Sequence, residues 1–152
     1  MRLSNPSTSS DYGLIKYTPF GDLIWSASYN SPGNLNDQPT EFAVTRTGEV
    51  YITGTVNVNF KTRINTVKFD SSGSLQWARV FNGGGSSDVP LDIKIDNQGN
   101  TIVAGNTNTP GDTLRVLIIK YNSFGDTLWV KRFTQLPDES STSEIVLDML
   151  NN

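Results

Sequence analysis

The stretch TVKFDSSGSLQW, residues 66–77, decides the fold because it occurs three times at a constant interval. LIKYTPFGDLIW (14–25) lies 52 residues before it, and IIKYNSFGDTLW (118–129) lies 52 residues after it. Each copy keeps a lysine, a glycine and a tryptophan in the same places, which are Lys16, Lys68, Lys120, Gly21, Gly73, Gly125, Trp25, Trp77 and Trp129. A fixed interval of this length is typical of a protein built from repeated supersecondary units.

A second phrase repeats between these copies and completes the unit. FAVTRTGEVYITG (42–54) returns 51 residues later as IKIDNQGNTIVAG (93–105), and a third copy begins at IVLDMLNN (145–152). Valine, isoleucine and aromatic residues fill short runs between these glycine-containing turns, which predicts β-strands. Each unit then has four strands, named A to D, which we expect near 41–46, 50–56, 63–69 and 75–82, and again near 91–96, 101–106, 114–121 and 127–134.

The turns predict how these strands pair. Tight turns with a late glycine join A to B and C to D, whereas longer segments join B to C (56–63, 106–113) and D to A (30–39, 82–90, 134–141). Antiparallel hairpins use tight turns of this kind, with glycine where positive φ is needed. We therefore expect all tight turns at one end of the sheets and all long loops at the other.

These units predict an all-β fold of β-propeller blades, each a four-stranded antiparallel sheet. Residues 1–10 are interpreted as a flexible leader and residues 11–152 as the propeller segment. Within that segment we expect strands C and D of a partial blade, two whole blades and the start of a further blade, at 11–31, 40–83, 91–134 and 142–152. Such an open arc of about three blades exposes its ends, so we expect a part of a larger propeller or a half that self-associates.

Composition excludes several classes of function. The chain has no cysteine and no histidine, which removes thiolate chemistry and the commonest general base and metal ligand. Its formal net charge is −3, with no basic stripe for nucleic acid. It also lacks the run of about 18 apolar residues that a membrane span needs. We expect no enzyme activity, metal or cofactor in this segment.

The repeated phrases resemble the bacterial β-propeller repeats called SBBP repeats. The shared pattern is a lysine-aromatic-acid-x-x-Gly-x-x-x-Trp core, then Asn-Gly-x-Gly and an acidic residue, then Asp-x-x-Gly-Asn. It is matched by Lys68, Phe69, Asp70, Gly73, Trp77, Asn82, Gly83, Gly85, Asp88, Asp96, Gly99 and Asn100. The resemblance implies a secreted or cell-surface bacterial protein assembled from many such modules. It implies no particular ligand or activity.

The repeated residues are interpreted as structural. A ligand site seldom needs the same tryptophan in every unit, so we expect each tryptophan to pack between blades. We expect each repeated lysine to reach a carboxylate on a neighbouring strand, with Asp96 and Asp148 as candidate partners. Asp70, Asp96 and Asp148 lie in Asp-x-x-Gly frames, which favour turn capping over calcium binding because no alternating Asp-x-Asp-x-Asp ligands are present.

The sequence therefore predicts a non-enzymatic surface scaffold or recognition module. Ligand contacts, with a glycan or a protein, are expected on the long-loop end. The candidate residues are Asn34, Asp37, Asp88, Asn106, Asn108, Asp112 and Asp138. The alternative is the propeller portion of a secreted hydrolase or oxidoreductase whose catalytic residues lie outside this chain.

Overall fold

The structure, a computed structural model, is all-β over the residues it describes, which are 2–4, 10–33, 36–108, 115–133 and 144–148. Its strands, in chain order, are β1 (Arg2–Ser4), β2 (Ser10–Tyr17), β3 (Leu23–Tyr29), β4 (Asp37–Val44), β5 (Val50–Val58), β6 (Lys61–Phe69), β7 (Leu75–Phe81), β8 (Ser87–Ile95), β9 (Thr101–Asn108), β10 (Arg115–Tyr121) and β11 (Thr127–Phe133). The described ranges contain no helix that is long and apolar enough to cross a membrane. The predicted all-β class is confirmed.

The strands form two four-stranded antiparallel meanders and one smaller sheet. The middle unit comprises β4–β7 and the C-terminal unit comprises β8–β11, and in each of them every strand pairs with the next. Strands β1–β3 form the N-terminal sheet in the order β1-β2-β3. One parallel pair, Thr62 with Ser87, connects the middle unit to the C-terminal unit. The predicted strands A to D thus correspond to β4–β7 and to β8–β11.

The tight turns have the geometry that their glycines indicate. In the β6–β7 turn, Gly73 has a φ of 85° and donates its N–H to the carbonyl of Asp70 at 3.1 Å. The Asp70 carboxylate accepts the backbone N–H groups of Ser72 and Ser74 at 2.9 and 3.0 Å. A side chain at Gly73 would be strained at this φ, while the aspartate satisfies turn amides that the ladder leaves free. Asp70 and Asp96 therefore cap turns, as predicted.

Strands A begin earlier than the sequence suggested. Asp37–Pro39 and Ser87–Pro90 were expected in loops, but β4 and β8 include them. Each strand has a register shift just after its proline. A bulge is where a strand tolerates proline, because no ladder N–H is required there. The prolines thus mark irregularities inside strands rather than their beginnings.

The first B-to-C connection is also shorter than predicted. Strands β5 and β6 extend to Val58 and from Lys61, so only Asn59 and Phe60 remain between them. Both residues have positive φ, at 50° and 60°. Two successive residues in that region form a type I′ turn, which matches the twist of a hairpin. The second B-to-C connection, residues 109–114, lies outside the described residues.

Part of the segment interpreted as a leader is strand. Arg2–Ser4 pairs antiparallel with Ser10–Tyr12 of β2. By the 52-residue repeat, Tyr12 corresponds to Ile64, which pairs with Thr55 of β5. β1 therefore occupies the position of the last part of a strand B. This pairing joins residues on both sides of the predicted boundary at residue 10.

Two apolar cores lie between the successive sheets. The first joins Tyr12, Leu14 and Tyr29 of the N-terminal sheet to Ile52, Val67 and Phe69 of the middle unit. The second joins Tyr51, Ile64 and Trp77 of the middle unit to Ile93, Val103, Leu117, Ile119 and Tyr121. Because neighbouring residues of a strand point to opposite faces, β5 and β6 contribute to both cores. The N-terminal sheet, the middle unit and the C-terminal unit are therefore stacked face to face, and the middle unit has an apolar core on each of its two faces.

Candidate functional site

The tryptophans join each sheet to the turn of the next. The indole N–H of Trp25 donates to the carbonyl of Ser71 at 3.0 Å, and that of Trp77 donates to the carbonyl of Ser123 at 3.0 Å. In both cases the acceptor lies 46 residues after the tryptophan. Lys16 and Lys68 contact the same carbonyls at 3.5 Å. We call the interface between the N-terminal sheet and the middle unit, which contains the Trp25 contact, the first junction. The interface between the middle unit and the C-terminal unit, which contains the Trp77 contact, is the second junction.

A glycine forms the surface on which each indole lies. A Cβ atom added to Gly73 would lie 2.9 Å from the Trp25 ring, and one added to Gly125 would lie 2.8 Å from the Trp77 ring. Both glycines also have positive φ, so a side chain there is disfavoured by backbone strain as well as by its clash with the indole ring. The predicted packing of tryptophan between units is confirmed for Trp77, which is 7% exposed and belongs to the second core.

Trp129 corresponds to Trp77 in the repeat, and Gly21 corresponds to Gly73. These two residues lie at opposite ends of the described structure, and neither has the contact between an indole ring and a glycine. Trp129 is 39% exposed. A Cβ added to Gly21, whose φ is 90°, would meet no atom within 4 Å. The packing predicted for Trp129 is therefore only partial. Each of these residues is one half of a junction.

Two of the three repeated lysines, Lys68 and Lys120, form ion pairs within their units. Lys120 binds Asp96, one of the two candidate partners, at 2.9 Å. Lys68 instead binds Glu49 at 2.8 Å. Burial alone would lower the pKa of Lys68, but the hydrogen bonds that its ammonium group donates to Glu49 and Tyr51 outweigh burial and raise that pKa. Burial likewise opposes ionisation of Asp96, yet Lys120 and Asn100 hold the Asp96 pKa below its ordinary value.

Asp88, a predicted ligand residue, is instead part of a buried clasp. It is fully buried and accepts hydrogen bonds from Arg63 Nη1 at 3.1 Å, from the N–H of Gly83 at 2.9 Å, and from the Thr107 hydroxyl. Arg63 also donates to the carbonyl of Gly85 at 3.0 Å. This clasp ties β6, β9 and the connection before β8 together. In this position Asp88 cannot contact a ligand.

Asp37 is the counterpart of Asp88 in the first junction, and it too is fully buried. Its Oδ2 accepts the N–H of Ser31 at 2.7 Å. The residue at the position of Arg63 is here Asp11, so the clasp has no arginine. Asp37 Oδ1, Asp11 Oδ1 and the Ser31 hydroxyl are buried without a hydrogen-bond partner. Burial first, and then the charge of Asp11, raise the pKa of Asp37.

The other predicted ligand residues divide into two groups. Asn106 is partly buried in β9, and Asn108 is exposed at the end of that strand. The backbone carbonyl of Asn108 accepts bonds from Ser86 N and Oγ at 2.8 and 3.1 Å, which leaves its side chain at the surface. Asn34, Asp112 and Asp138 lie outside the described residues.

Strand pairing places Asn108 in a row of neutral polar residues at the loop end. Asn57 pairs with Thr62, Thr62 with Ser87, and Ser87 with Asn108, so the row crosses β5, β6, β8 and β9. Asn57 and Asn108 are exposed, and Thr62 and Ser87 are partly exposed. Phe60, in the β5–β6 turn beside this row, is fully exposed. We call these five residues the loop-end row.

Sequence reasoning did not identify the loop-end row, apart from Asn108. The row depends on the single parallel pair between β6 and β8, which joins the middle unit to the C-terminal unit. No pattern of adjacent residues in the sequence indicates this pairing. The Asn59–Phe60 turn could have been found, because asparagine tolerates positive φ and stands between two apolar-rich strands.

A second surface feature is a groove of about 820 Å³ between β2 and β4. Leu14, Ile15, Trp25, Phe42 and Val44 are among the residues that line it. Phe42 and Val44 are 62% and 55% exposed. Their repeat counterparts in the C-terminal unit, Ile93 and Ile95, lie in or against the second core. The groove therefore lies where the C-terminal unit, at the corresponding positions of its strand A, has a packed apolar core.

Comparison with known proteins adds no relative: no protein-family model and no curated protein matches the chain. Among the described residues, no group of three or more acidic side chains is placed to hold a metal ion.

Proposed function

We propose that the stacked units are β-propeller blades and that the chain serves as a non-enzymatic scaffold carrying a recognition surface. Two consecutive meanders, with four strands each and the same tryptophan-to-turn junction at a constant interval, support the propeller arrangement. An extracellular or cell-surface location is part of this proposal and follows from the resemblance to SBBP repeats.

The observation that carries the scaffold role is how the repeated reactive side chains are used. Lys68, Lys120, Asp88 and Asp96 are all engaged in ion pairs, either between two strands or between a strand and a turn. Trp25 and Trp77 are engaged in the junctions. Groups with these contacts hold units together and are not available to act on a substrate.

The loop-end row is the surface we assign to recognition. Its amide and hydroxyl groups are neutral donors and acceptors, which suit the hydroxyl groups of a sugar. Phe60 presents an aromatic ring in full solvent, at a φ that costs a non-glycine residue about 1 kcal/mol or more. A strained and unburied aromatic residue is easiest to explain by a function at that position. We propose carbohydrate as the class of ligand.

A glycan array probed with the purified chain tests this proposal. We expect binding to a defined subset of glycans, with loss of most of the signal in Phe60→Ala and in Asn108→Ala. Phe124→Ala is the matched control, because Phe124 is 75% exposed but lies in a tight turn at the opposite end. Absence of any glycan signal, or equal loss in the control variant, would reject carbohydrate recognition by this row.

A further inference from the structure

The two ends of the described structure carry complementary halves of one interface. At the first and second junctions, a tryptophan lies on a positive-φ glycine and donates to the carbonyl two residues before that glycine. Trp129 has the tryptophan without the glycine, and Gly21 has the glycine without the tryptophan. The acceptor that corresponds to Ser71 and Ser123 is the carbonyl of Pro19.

The groove is a second place where the two ends of the described structure complement each other. In the second junction, Ile93 of β8 packs against the middle unit and fills the core there. The corresponding face of β4, with Phe42 and Val44, opens into the groove because the N-terminal sheet has no described strand A. A strand A from elsewhere would cover that face.

Residues 144–148 have the sequence and the position for this role. They repeat residues 92–96 at an interval of 52, with Ile145 at the position of Ile93. The backbone N–H of Ile145 donates to Asp92 at 2.6 Å, so the segment lies beside β8. Val146 is 81% exposed. The segment is thus displayed next to the C-terminal unit, on the same end of the stack as Trp129.

We propose that this C-terminal face binds the N-terminal face of a second copy of the chain, head to tail. Trp129 of one copy lies on Gly21 of the other and donates to the carbonyl of Pro19. Residues 144–148 enter the groove against Phe42 and Val44. One copy thereby provides strand A, and the other provides β1, β2 and β3, so a four-stranded unit forms across the two copies.

The contact continues an interface that the chain already makes twice. A junction of this kind is heterologous, since different surfaces of the two copies meet. Its central residue is a tryptophan, the type most often found to dominate binding energy. The apolar side chains left exposed at both ends become buried by the same event. The inference concerns self-association and does not depend on the ligand of the loop-end row.

Sedimentation velocity over a range of concentrations tests the proposal on the chain as it is. We expect reversible association that strengthens with concentration, and a dissociation constant raised roughly tenfold or more by Trp129→Ala. Phe60→Ser is the control for loss of an exposed aromatic residue and should associate like the wild type. A wild-type chain that stays monomeric at every concentration reached would overturn the proposal.

Glycine substitutions give a sharper version of the test. Gly21→Ala adds a methyl group at the site where the indole of a second copy would lie. Gly99→Ala carries a similar backbone strain, at a φ of 78°, but its Cβ would meet only Ser123 at 4.0 Å. We expect Gly21→Ala to weaken association and Gly99→Ala to leave it unchanged. Equal association in both variants would contradict the assigned contact.

A mixing experiment establishes the head-to-tail polarity. Trp129→Ala retains an intact N-terminal face, whereas Phe42→Glu retains an intact C-terminal face. Each variant alone should associate poorly, and an equimolar mixture should recover a heterodimer with one good contact. Circular dichroism confirms that both variants are folded. Failure of the folded mixture to recover association would show that the two faces do not bind each other.

Discussion

At the scale of single residues, the same side chain has different roles in different copies of the repeat. Trp77 is buried between two apolar sheets and has ring contacts with Tyr51 and Tyr121 at centroid distances of 5.9 and 6.1 Å. Trp129 occupies the same position of the repeat, 52 residues later, but is 39% exposed. The contribution of a repeated residue to stability is therefore set by which units flank it.

We expect this difference to appear in unfolding experiments. Trp77→Ala should lower the free energy of unfolding by roughly 3–5 kcal/mol, as is usual for removal of a large aromatic residue from a core. Trp129→Ala should have a much smaller effect on the monomer, because that ring is already partly in water. Urea denaturation at low protein concentration measures both values, and equal losses would contradict the unequal burial.

A second prediction concerns the pH dependence that Asp37 introduces. Its pKa is raised above the ordinary value of 3.8, mainly by burial, so the folded chain holds this proton at pH values where the unfolded chain has released it. The resulting stabilisation is fully present below pH 3.8 and is lost as the pH rises through the raised pKa. The wild type should therefore gain stability relative to Asp37→Asn as the pH falls from neutral.

Denaturation of the wild type and of Asp37→Asn at a series of pH values measures this difference in stability. The comparison cancels the contribution of the other carboxylates, which both proteins share. Asp92 and Asp96, whose pKa values are lowered, act in the opposite direction but equally in both proteins. Asp11→Asn is the control, and it should retain most of the effect because burial is the larger cause. A difference between wild type and Asp37→Asn that stays constant with pH would refute the assignment.

At the scale of strands and turns, the sequence predicted those features that depend on a few adjacent residues. The glycine turns and the order of four antiparallel strands follow from such local signals. The starts of β4 and β8 differ from the prediction, because a proline predicts a loop and here a bulge accommodates Pro39 and Pro90 inside the strands. Asp37 and Asp88 were assigned to a ligand surface for the same reason. Their equal spacing, 51 residues as in the second phrase, was the available signal of a structural role.

The A-to-B turn of the C-terminal unit gives an element-level prediction. Asp96 accepts the N–H groups of Gln98 and Asn100 at 2.9 and 2.8 Å and also binds Lys120. Asp96→Ala should destabilise the chain by about 3 kcal/mol, because it removes turn bonds and leaves a mostly buried ammonium group without its partner.

Asp70→Ala is the matched control for this prediction. Asp70 caps the β6–β7 turn through Ser72 and Ser74 in the same way, but it forms no ion pair with a repeated lysine. We expect a clearly smaller loss of stability, measured by thermal unfolding. A loss as large as that of Asp96→Ala would show that turn capping, rather than the ion pair, dominates.

At the scale of the whole molecule, burial is greatest in the inner strands of the stacked units. Most residues of β5, β6 and β9 are buried, whereas β3 and β11 are largely exposed. The stacking could be inferred from the apolar character of both faces of these strands. The groove and the loop-end row could not, because they depend on how one unit registers against the next.

This distribution predicts an order of hydrogen exchange. Amides of β6 should exchange last, since opening them requires loss of both cores, and amides of β3 and β11 should exchange first. Hydrogen–deuterium exchange followed by mass spectrometry, with peptides that separate β6 from β7, measures the order. Uniform exchange rates across the three sheets would mean that they unfold as a single cooperative body.

The tryptophan-to-turn contact gives the stack a direction along the chain. The indoles of Trp25 and Trp77 both reach forward by 46 residues, so at each of these two junctions a unit is held by the one before it. An in-frame duplication of one 52-residue repeat would therefore create a new junction with every donor and acceptor already in place. A gene encoding such a chain can lengthen or shorten by whole units through recombination, without the compensating substitutions that a non-repetitive core would require.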